Sequence, residues 1–372
     1  MQHLLDLSLE QIEAELASWG EPRYRAKQIA EWVFRHGATD FASMTSLPPA
    51  LRTRLSEAFT IAPPPVLAVR AADDGGTTKA LLDLGGGDAV ETVRMDYDPD
   101  GDGEPDRVTV CVSTQVGCAM ACRFCATGLQ GFTRNLTPAE IVTQVLHFSR
   151  PSQGGRRETR PGEGAAHRVT NIVFMGMGEP LANYAGTIAA IRWLTRPEGL
   201  GLRQRGITVS TVGLVRQIDR LSLEGLQVGL TISLHAPDDD LRRDLIPTAG
   251  GTSIDDLVEA ARRYIERCGR RVTFAYALLD HVNDEPEQAR ALARRIRGIQ
   301  AHVNLIPYNP TAGPDLRRPS LGRVRAFQRE LQAAGINATV RIERGVEIAA
   351  ACGQLRTDVQ HAATPLPLVL DA

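Results

Sequence analysis

The feature that most constrains the fold of this chain is a regular alternation of short apolar runs with helix-length amphipathic segments from residue 108 onward. The apolar runs have the length of buried strands, and the segments between them have the apolar period of helices. The predicted strands are Val108–Ser113, Asn171–Met175, Gly206–Val212, Gln227–Leu234, Arg271–Leu279 and His302–Pro307. The predicted helices between them include Pro138–Ser149, Ala185–Thr195, Ile254–Cys268 and Glu285–Ile299.

Strands that alternate with helices in this way form a parallel sheet with right-handed crossovers. We therefore expect an α/β fold whose sheet is curled into a barrel or part of one. Active sites on such sheets lie at the carboxyl ends of the strands. The residues that follow each predicted strand are the first candidates for function.

Two smaller units precede this core. Residues from Leu7 to Phe59 have the pattern of three short helices, with breaks at Gly20–Pro22 and Leu47–Pro49. After three successive prolines, Val66–Arg70, Lys79–Leu84 and Ala89–Met95 have the pattern of a small antiparallel sheet. The expected units are an N-terminal helical domain, a β extension, a core barrel and a C-terminal segment with a flexible tail, at residues 1–62, 63–103, 104–345 and 346–372.

Charge and targeting signals limit the function classes. The 42 Lys and Arg residues nearly balance the 44 Asp and Glu residues, so the net charge of −2 argues against bulk electrostatic binding of nucleic acid but not against a local basic patch. No apolar run approaches the roughly 20 residues of a membrane helix. The first ten residues lack the pattern of a secretory signal, so we expect a cytoplasmic protein. The acidic segment from Asp96 resembles a calcium loop, but Thr109 stands where a bidentate glutamate belongs, which favours a polar hairpin tip.

Three cysteines are grouped directly after the first predicted core strand. Cys118, Cys122 and Cys125 have the spacing CxxxCxxC. A structural zinc site would need a fourth ligand, such as the upstream Cys111 or a histidine. An iron–sulfur cube with three cysteine ligands would instead keep one iron open for a substrate or cofactor. Both interpretations fit the spacing, and the position at the carboxyl end of a strand favours a catalytic cluster.

Further strings along the chain show a resemblance to a known family. They are Val112–Cys118, Gly131–Leu136, Phe174–Pro180, Ser233–Ala236, Asn304–Pro310 and Ala351–Gln354. Together with the cysteine motif they resemble the radical S-adenosylmethionine superfamily and, within it, the RlmN/Cfr family of RNA adenosine methyltransferases. The resemblance extends from the N-terminal helices to about Leu355. It implies a partial (β/α)6 barrel with a small N-terminal helical domain and a short antiparallel β extension.

The resemblance also implies a cofactor site. Cys118, Cys122 and Cys125 would hold a [4Fe-4S] cluster whose open iron binds the amino and carboxylate groups of S-adenosylmethionine, two molecules of which are used per turnover. An electron from the reduced cluster would cleave the sulfonium to a 5′-deoxyadenosyl radical. The residues that the resemblance assigns to S-adenosylmethionine follow successive strands: Gly178, Glu179, Ser210, Ser233, Leu234, His235 and Asn309.

Three further residues would carry the methyl transfer in such a family member. Cys352 would be methylated first, and the radical would then abstract a hydrogen from that methyl group, so that the resulting methylene radical adds to C2 of adenine. This route has a chemical reason: C2 is electron-poor and cannot attack a sulfonium methyl, whereas a carbon radical can add to it. Glu91 would accept the C2 proton, and Cys111 would attack the Cys352 sulfur to leave a disulfide. Cys268 matches no motif and is interpreted as structural.

The implied substrates are 23S rRNA, at the peptidyl-transferase centre, and tRNA, at the adenosine 3′ of the anticodon. The N-terminal domain and arginines such as Arg134, Arg341 and Arg344 would contact phosphates. A donor such as flavodoxin would supply the electron, and the protein would be a monomer. The chain departs from the family pattern in the acidic tip Asp96–Asp106, the loop Pro151–His167 and the tail beyond Leu355.

Two alternatives remain open at this level. One is C8 methylation of adenosine, as in Cfr-type enzymes, which share both mechanistic cysteines. The other is a non-catalytic RNA-binding protein with an iron–sulfur or zinc site. The joint presence of Cys111, Glu179 and Cys352 argues against the second, because RNA binding alone requires none of them.

Overall fold

The computed structural model of the chain describes residues 1–73, 75–98, 105–149, 169–310 and 316–341. Its strands are β1 Gln2–His3, β2 Phe59–Thr60, β3 Val66–Ala71, β4 Thr77–Gly85, β5 Asp88–Tyr97, β6 Arg107–Cys111, β7 Gln115–Gly117, β8 Phe132–Asn135, β9 Asn171–Phe174, β10 Ile207–Thr211, β11 Gly229–Ser233, β12 Val272–Leu278, β13 Ala301–Pro307 and β14 Ala338–Val340. Its α-helices are α1 Leu9–Ser18, α2 Tyr24–Phe34, α3 Pro49–Ala58, α4 Ala126–Leu129, α5 Pro138–Ser149, α6 Tyr184–Thr195, α7 Val215–Leu221, α8 Asp239–Leu245, α9 Ile254–Cys268, α10 Pro286–Arg295 and α11 Leu321–Ala333.

One ten-stranded sheet organises the chain, in the order β14-β13-β12-β11-β10-β9-β6-β5-β4-β3. Along this order every pair from β14 to β6 is parallel, and every pair from β6 to β3 is antiparallel. The expected α/β fold with a partial parallel barrel is therefore confirmed. The sheet contains all six predicted parallel strands and a short seventh, β14, whose three residues are too few to show a pattern.

The antiparallel strands extend the parallel sheet and do not form a separate one. They join it because β5 pairs with β6, with Val93 opposite Cys111. The helix predicted for Glu285–Ile299 is shorter in the structure. It ends at Arg295, and the left-handed Gly298 follows, with a φ of 77°.

The two faces of the parallel strands have different environments. On β9 and β10, Ile172, Phe174, Ile207 and Val209 are fully buried in the main core, whereas the alternate residues are half-buried. The helices pack against one another in sequence, α5 with α6 and α9 with α10 and then α11. Their side of the sheet carries the core. We call the opposite side, with the half-buried residues Val173, Thr208 and Ser210, the inner face.

The N-terminal helices pack onto the core through α6. A capping box between Ser8 and Gln11 begins α1, whose buried stripe is Leu9, Ile12 and Leu16, as the sequence pattern predicts. The indole N–H of Trp193 donates to the Leu7 carbonyl oxygen at 3.0 Å. At the surface, the ammonium of Lys27 lies 3.2 Å from a carboxylate oxygen of Glu198. Throughout the described ranges, every helix is too short or too polar to cross a membrane.

Candidate active site

The loop that carries the three grouped cysteines lies over the carboxyl ends of the parallel strands. Cys122 is buried in an apolar cluster with Leu279 and Tyr308, which follow β12 and β13. Hydrogen bonds fix the loop to α8 and the turn after it. The Arg123 N–H donates to the Leu245 carbonyl oxygen at 3.0 Å, and the Thr248 hydroxyl donates to the Met120 carbonyl oxygen at 2.9 Å. The loop therefore occupies the edge of the sheet where such folds place their active sites.

Two of the three grouped cysteines, Cys118 and Cys122, are buried thiols, and Cys125 is half-buried. Burial raises the pKa of Cys118 to about 12, and it raises the pKa of Cys122 well above the usual thiol range, with smaller increases from the nearby Cys125, Cys118 and Glu179 side chains. Such thiols become thiolates only where positive charge compensates them, as bound metal ions do. In the described part of the chain, no group of three His, Cys, Asp or Glu side chains is close enough together to hold a single metal ion. The donor set fits an iron–sulfur cluster, in which each cysteine binds a different iron.

A tight turn after β9 brings Gly178 and Glu179 to the same edge. Gly178 has a φ of 99°, and a Cβ there would lie 2.5 Å from Cβ of Gln115. The Gln115 side-chain oxygen accepts the Glu179 N–H at 2.8 Å. Only glycine permits both this φ and this close approach. The turn is thereby held against the segment that leads into the cysteine loop.

The Glu179 carboxylate is buried and fully oriented. Its two oxygens accept the N–H groups of Leu181 at 2.9 Å and Val212 at 2.8 Å. Burial nevertheless raises its pKa from 4.5 to about 7, and the backbone hydrogen bonds limit that rise. A buried carboxylate of this kind suits a bound cation such as an ammonium group.

The predicted residues on β10, β11 and β13 follow the same edge. Ser210 and Ser233 are half-buried and lie in register with Thr231 and Ala275 of the neighbouring strands. Leu234 is buried and its N–H donates to the Ala275 carbonyl oxygen at 3.0 Å. Asn309, half-buried, comes two residues after β13 ends.

His235 has an unusual, well-supported conformation. Its φ is 62°, in the left-handed region that is rare for residues other than glycine. Its Nδ1 accepts the Ala277 N–H at 2.8 Å, and the Asn283 amide donates to its carbonyl oxygen at 2.8 Å. Burial lowers the pKa of His235 to about 3, so the ring is neutral and its proton is on Nε2. The ring packs edge-on against Phe124 of the cysteine loop, with centroids 4.7 Å apart.

Glu91 and Cys111 lie on one face of the sheet. Val93 stands opposite Cys111 and also opposite Lys79, and Glu91 is two residues from Val93 on the same strand. Cys111 is in turn in register with Val173, so this is the inner face. The Glu91 carboxylate is 2 % exposed and lies 2.6 Å from the ammonium of Lys79, which is 0 % exposed. A buried ion pair therefore occupies the same face as Cys111.

Sequence reasoning missed two residues of this region, Lys79 and Arg242. The chain has only two lysines among its 42 basic residues, and a lysine within an apolar strand of an arginine-rich chain is a signal that composition could have given. Arg242 is fully buried in α8, next to the cysteine loop. It lies in a charged run on a short helix, and that pattern predicts a solvated face.

The remaining predicted residues are not brought to this edge by the described structure. Arg134 forms ion pairs with Asp88 at 2.7 Å and with Glu140 at 2.8 Å, so two carboxylates already compensate its charge. Arg341 is exposed, directly after β14. Cys268 is buried at the end of α9, and its thiol contacts the Ser222 carbonyl oxygen at 3.8 Å. Cys352, Arg344, the loop 151–167 and residues 99–104 of the acidic tip lie outside the described residues.

Comparison with known proteins defines the class of enzyme first. The model of the radical SAM superfamily matches residues 161–293. A crystal structure of a radical SAM methyltransferase from Sphaerobacter thermophilus covers 95 % of this chain and 99 % of its own, with a TM-score of 0.86 and 48 % identity. The chain is thus a radical S-adenosylmethionine enzyme, and this superfamily uses a [4Fe-4S] cluster and S-adenosylmethionine.

Closer comparison identifies the family. The model of the ribosomal RNA large subunit methyltransferase N-terminal domain matches residues 2–61. Ribosomal RNA large subunit methyltransferase N of Nitrosopumilus maritimus is 49 % identical over 96 % of this chain and 99 % of its own length. The probable dual-specificity RNA methyltransferase RlmN of Gloeobacter violaceus is 48 % identical over 95 % and 94 %. The chain belongs to the RlmN family of methyltransferases.

Proposed function

We propose that this protein methylates C2 of adenosine in 23S rRNA and in tRNA by radical chemistry. Identity of about half of all residues to RlmN enzymes, across nearly the full length of both chains, carries the proposal. The positions of the predicted residues support the proposal. Within the described ranges, each residue that the chemistry requires lies either at the carboxyl edge of the parallel strands or on the inner face of the sheet.

The cofactor residues are proposed as follows. Cys118, Cys122 and Cys125 bind the cluster, and the buried Glu179 carboxylate receives the ammonium of the S-adenosylmethionine methionine moiety. Ser210, Ser233, Leu234, His235 and Asn309, with the backbone at Gly178, complete the pocket. When bound, the cluster supplies the electron that cleaves S-adenosylmethionine to a 5′-deoxyadenosyl radical. The apolar residues around Cys122 keep water from this pocket.

The proposed methyl carrier is Cys352, whose sulfur is methylated from one S-adenosylmethionine before a second provides the radical. Glu91 would accept the proton released from C2, and the Cys111 thiol would attack the Cys352 sulfur, so that a disulfide forms as the bond from that sulfur to the methylene carbon breaks and the methylated base is released. The unpaired electron of the adduct would leave to the oxidised electron carrier, and a thiol reductant would reduce the disulfide by exchange before the next turnover. A donor such as flavodoxin supplies the electron. Glu91 and Cys111 share the inner face, and this common placement supports their joint role.

RNA binding is assigned to the N-terminal helices and to arginines such as Arg341 and Arg344. The adenine must leave its stack to bring C2 to Cys352, so a loop or remodelled RNA is the expected substrate. We propose that the protein acts as a monomer.

Two measurements on the reconstituted protein test this proposal. Protein rebuilt without oxygen should contain about four irons with matching sulfide, and replacement of Cys118, Cys122 or Cys125 by alanine should abolish both; one stoichiometric zinc in place of iron would contradict it. Mass spectrometry of peptides from active protein should find a methyl group on Cys352. Its consistent absence from active enzyme would refute the carrier role, and C268A serves as the control that retains activity.

A further inference from the structure

Arg242 is a buried cation with unused hydrogen-bond donors. Its side chain is 1 % exposed, and the described residues provide no hydrogen-bond partner for Nε or Nη1. Nη2 alone is satisfied, by the carbonyl oxygens of Val212 and, at 3.5 Å, Ser233. Burying a charged group with unpaired N–H groups is costly, so such an arrangement is retained only where another partner compensates it.

The surroundings of Arg242 identify the side on which that partner lies. Burial lowers the pKa of Arg242, and the nearby Asp239 and Cys122 side chains partly offset this decrease. Arg242 in turn adds to the effect of burial in lowering the pKa of His235. Its neighbours Leu241, Leu245 and Ile246 pack in the apolar cluster that contains Cys122. The Asp239 carboxylate acts on Arg242 electrostatically, but within the described residues it accepts no hydrogen bond from Nε or Nη1. These contacts place Arg242 beside the cysteine loop that carries Cys122.

We propose that Arg242 is a positioning residue of the iron–sulfur site, which donates hydrogen bonds from Nε and Nη1 to sulfur on the Cys122 side of the cluster. This rests on the cluster site of the proposed function but not on the RNA substrate. A [4Fe-4S] cluster with three thiolate ligands is anionic and gains a further negative charge on reduction. Net charge and hydrogen bonds to sulfur set the reduction potential of such clusters. Arg242 stabilises the reduced form and makes the potential more positive.

The test is a redox titration of the reconstituted protein without S-adenosylmethionine, followed by the electron paramagnetic resonance signal of the reduced cluster. R242Q removes the charge and leaves only a shorter amide side chain, so its potential should be more negative than that of the wild type. The matched control is R243Q. Arg243 is the next residue, its side chain is 55 % exposed, and its ion pair is with Asp240 on the same helix, so its removal should leave the potential unchanged.

Two outcomes would overturn the proposal. One is an R242Q cluster with the wild-type potential. The other is an unchanged potential with weaker binding of S-adenosylmethionine, which would assign Arg242 to the carboxylate of the cofactor. If R242Q folds but loads no cluster, R242K provides the test. It keeps the positive charge but lacks the Nε and Nη1 donors, so a cluster potential in R242K equal to that of the wild type would also contradict the proposal. Wild-type protein that binds no iron after reconstitution would refute the proposed function itself. Protein that binds the cluster, but with the same reduction potential in R242Q as in the wild type, would refute only this inference.

Discussion

Removal of the Lys79 ammonium should strongly destabilise the protein. The ammonium and the Glu91 carboxylate are 2.6 Å apart and are 0 % and 2 % exposed, so water screens neither. Breaking a buried pair by removing one partner costs about 3–5 kcal/mol, because the remaining buried charge loses its counter-ion. Against the roughly 5–15 kcal/mol of a typical domain, K79M should lose a large part of the free energy of unfolding.

Replacing both partners should restore much of that stability. A buried pair exchanged for apolar side chains of similar volume is often neutral or stabilising. K79M/E91M should therefore be more stable than K79M, even though it carries one more substitution. The control is K27M: the Lys27 side chain is 57 % exposed and pairs with Glu198 at 3.2 Å, so its loss should cost at most about 1 kcal/mol.

Denaturant unfolding of the anaerobic protein, followed by circular dichroism and by tryptophan fluorescence, measures these differences. Coincident transitions from the two probes are needed before free energies are compared, because chains longer than about 150 residues commonly populate unfolding intermediates. The reasoning would be refuted if K79M were no less stable than K27M. It would also be refuted if the loss of stability in K79M/E91M equalled the sum of the losses measured for K79M and E91M separately.

Three further predictions concern the cofactor edge. G178A should weaken S-adenosylmethionine binding in calorimetry and cost about 1–3 kcal/mol in stability, because its Cβ would lie 2.5 Å from Gln115 Cβ. The control is G20A, which has a φ of 83° and open space around it and should leave binding unchanged. Equal effects of the two substitutions would contradict the packing argument. S-adenosylmethionine affinity should fall as the pH falls through about 7, because Glu179 then becomes protonated, whereas E179Q should bind weakly at every pH. Because the folded pKa of Glu179 is raised, its contribution to stability should decrease as the pH rises from about 4.5 through about 7, and a pH slope unchanged in E179Q would refute this.

The sequence predicts much of the fold because its signals are local. The alternation of apolar runs with amphipathic segments predicts six of the parallel strands, and the bounds that it predicts for α5 and α9 agree with the structure at both ends. The joining of β5 to β6 is a pairing between distant residues, which periodicity does not encode. The three residues of β14 form a strand only because β13 offers them a partner.

The candidate site divides in the same way. The cysteine spacing and the Gly178–Glu179 turn are short motifs with a direct chemical meaning, so they can be read without a structure. The pairing of Lys79 with Glu91 depends on the register of β4 and β5, which only the folded sheet fixes. The burial of Arg242 depends on how α8 packs against the cysteine loop. From their local sequence, the Lys79 and Arg242 side chains would both be expected at the protein surface.

Nucleoside analysis of RNA after reaction is the most direct test of the proposed function. Protein loaded with iron and sulfide without oxygen, supplied with S-adenosylmethionine and a low-potential electron donor, is incubated with unmethylated 23S rRNA fragments and tRNA, and the digested nucleosides are separated by liquid chromatography and mass spectrometry. We predict 2-methyladenosine from both RNAs with the wild type and none with C118A. Formation of 8-methyladenosine, or no methylated adenosine from protein with a complete cluster, would contradict the proposal.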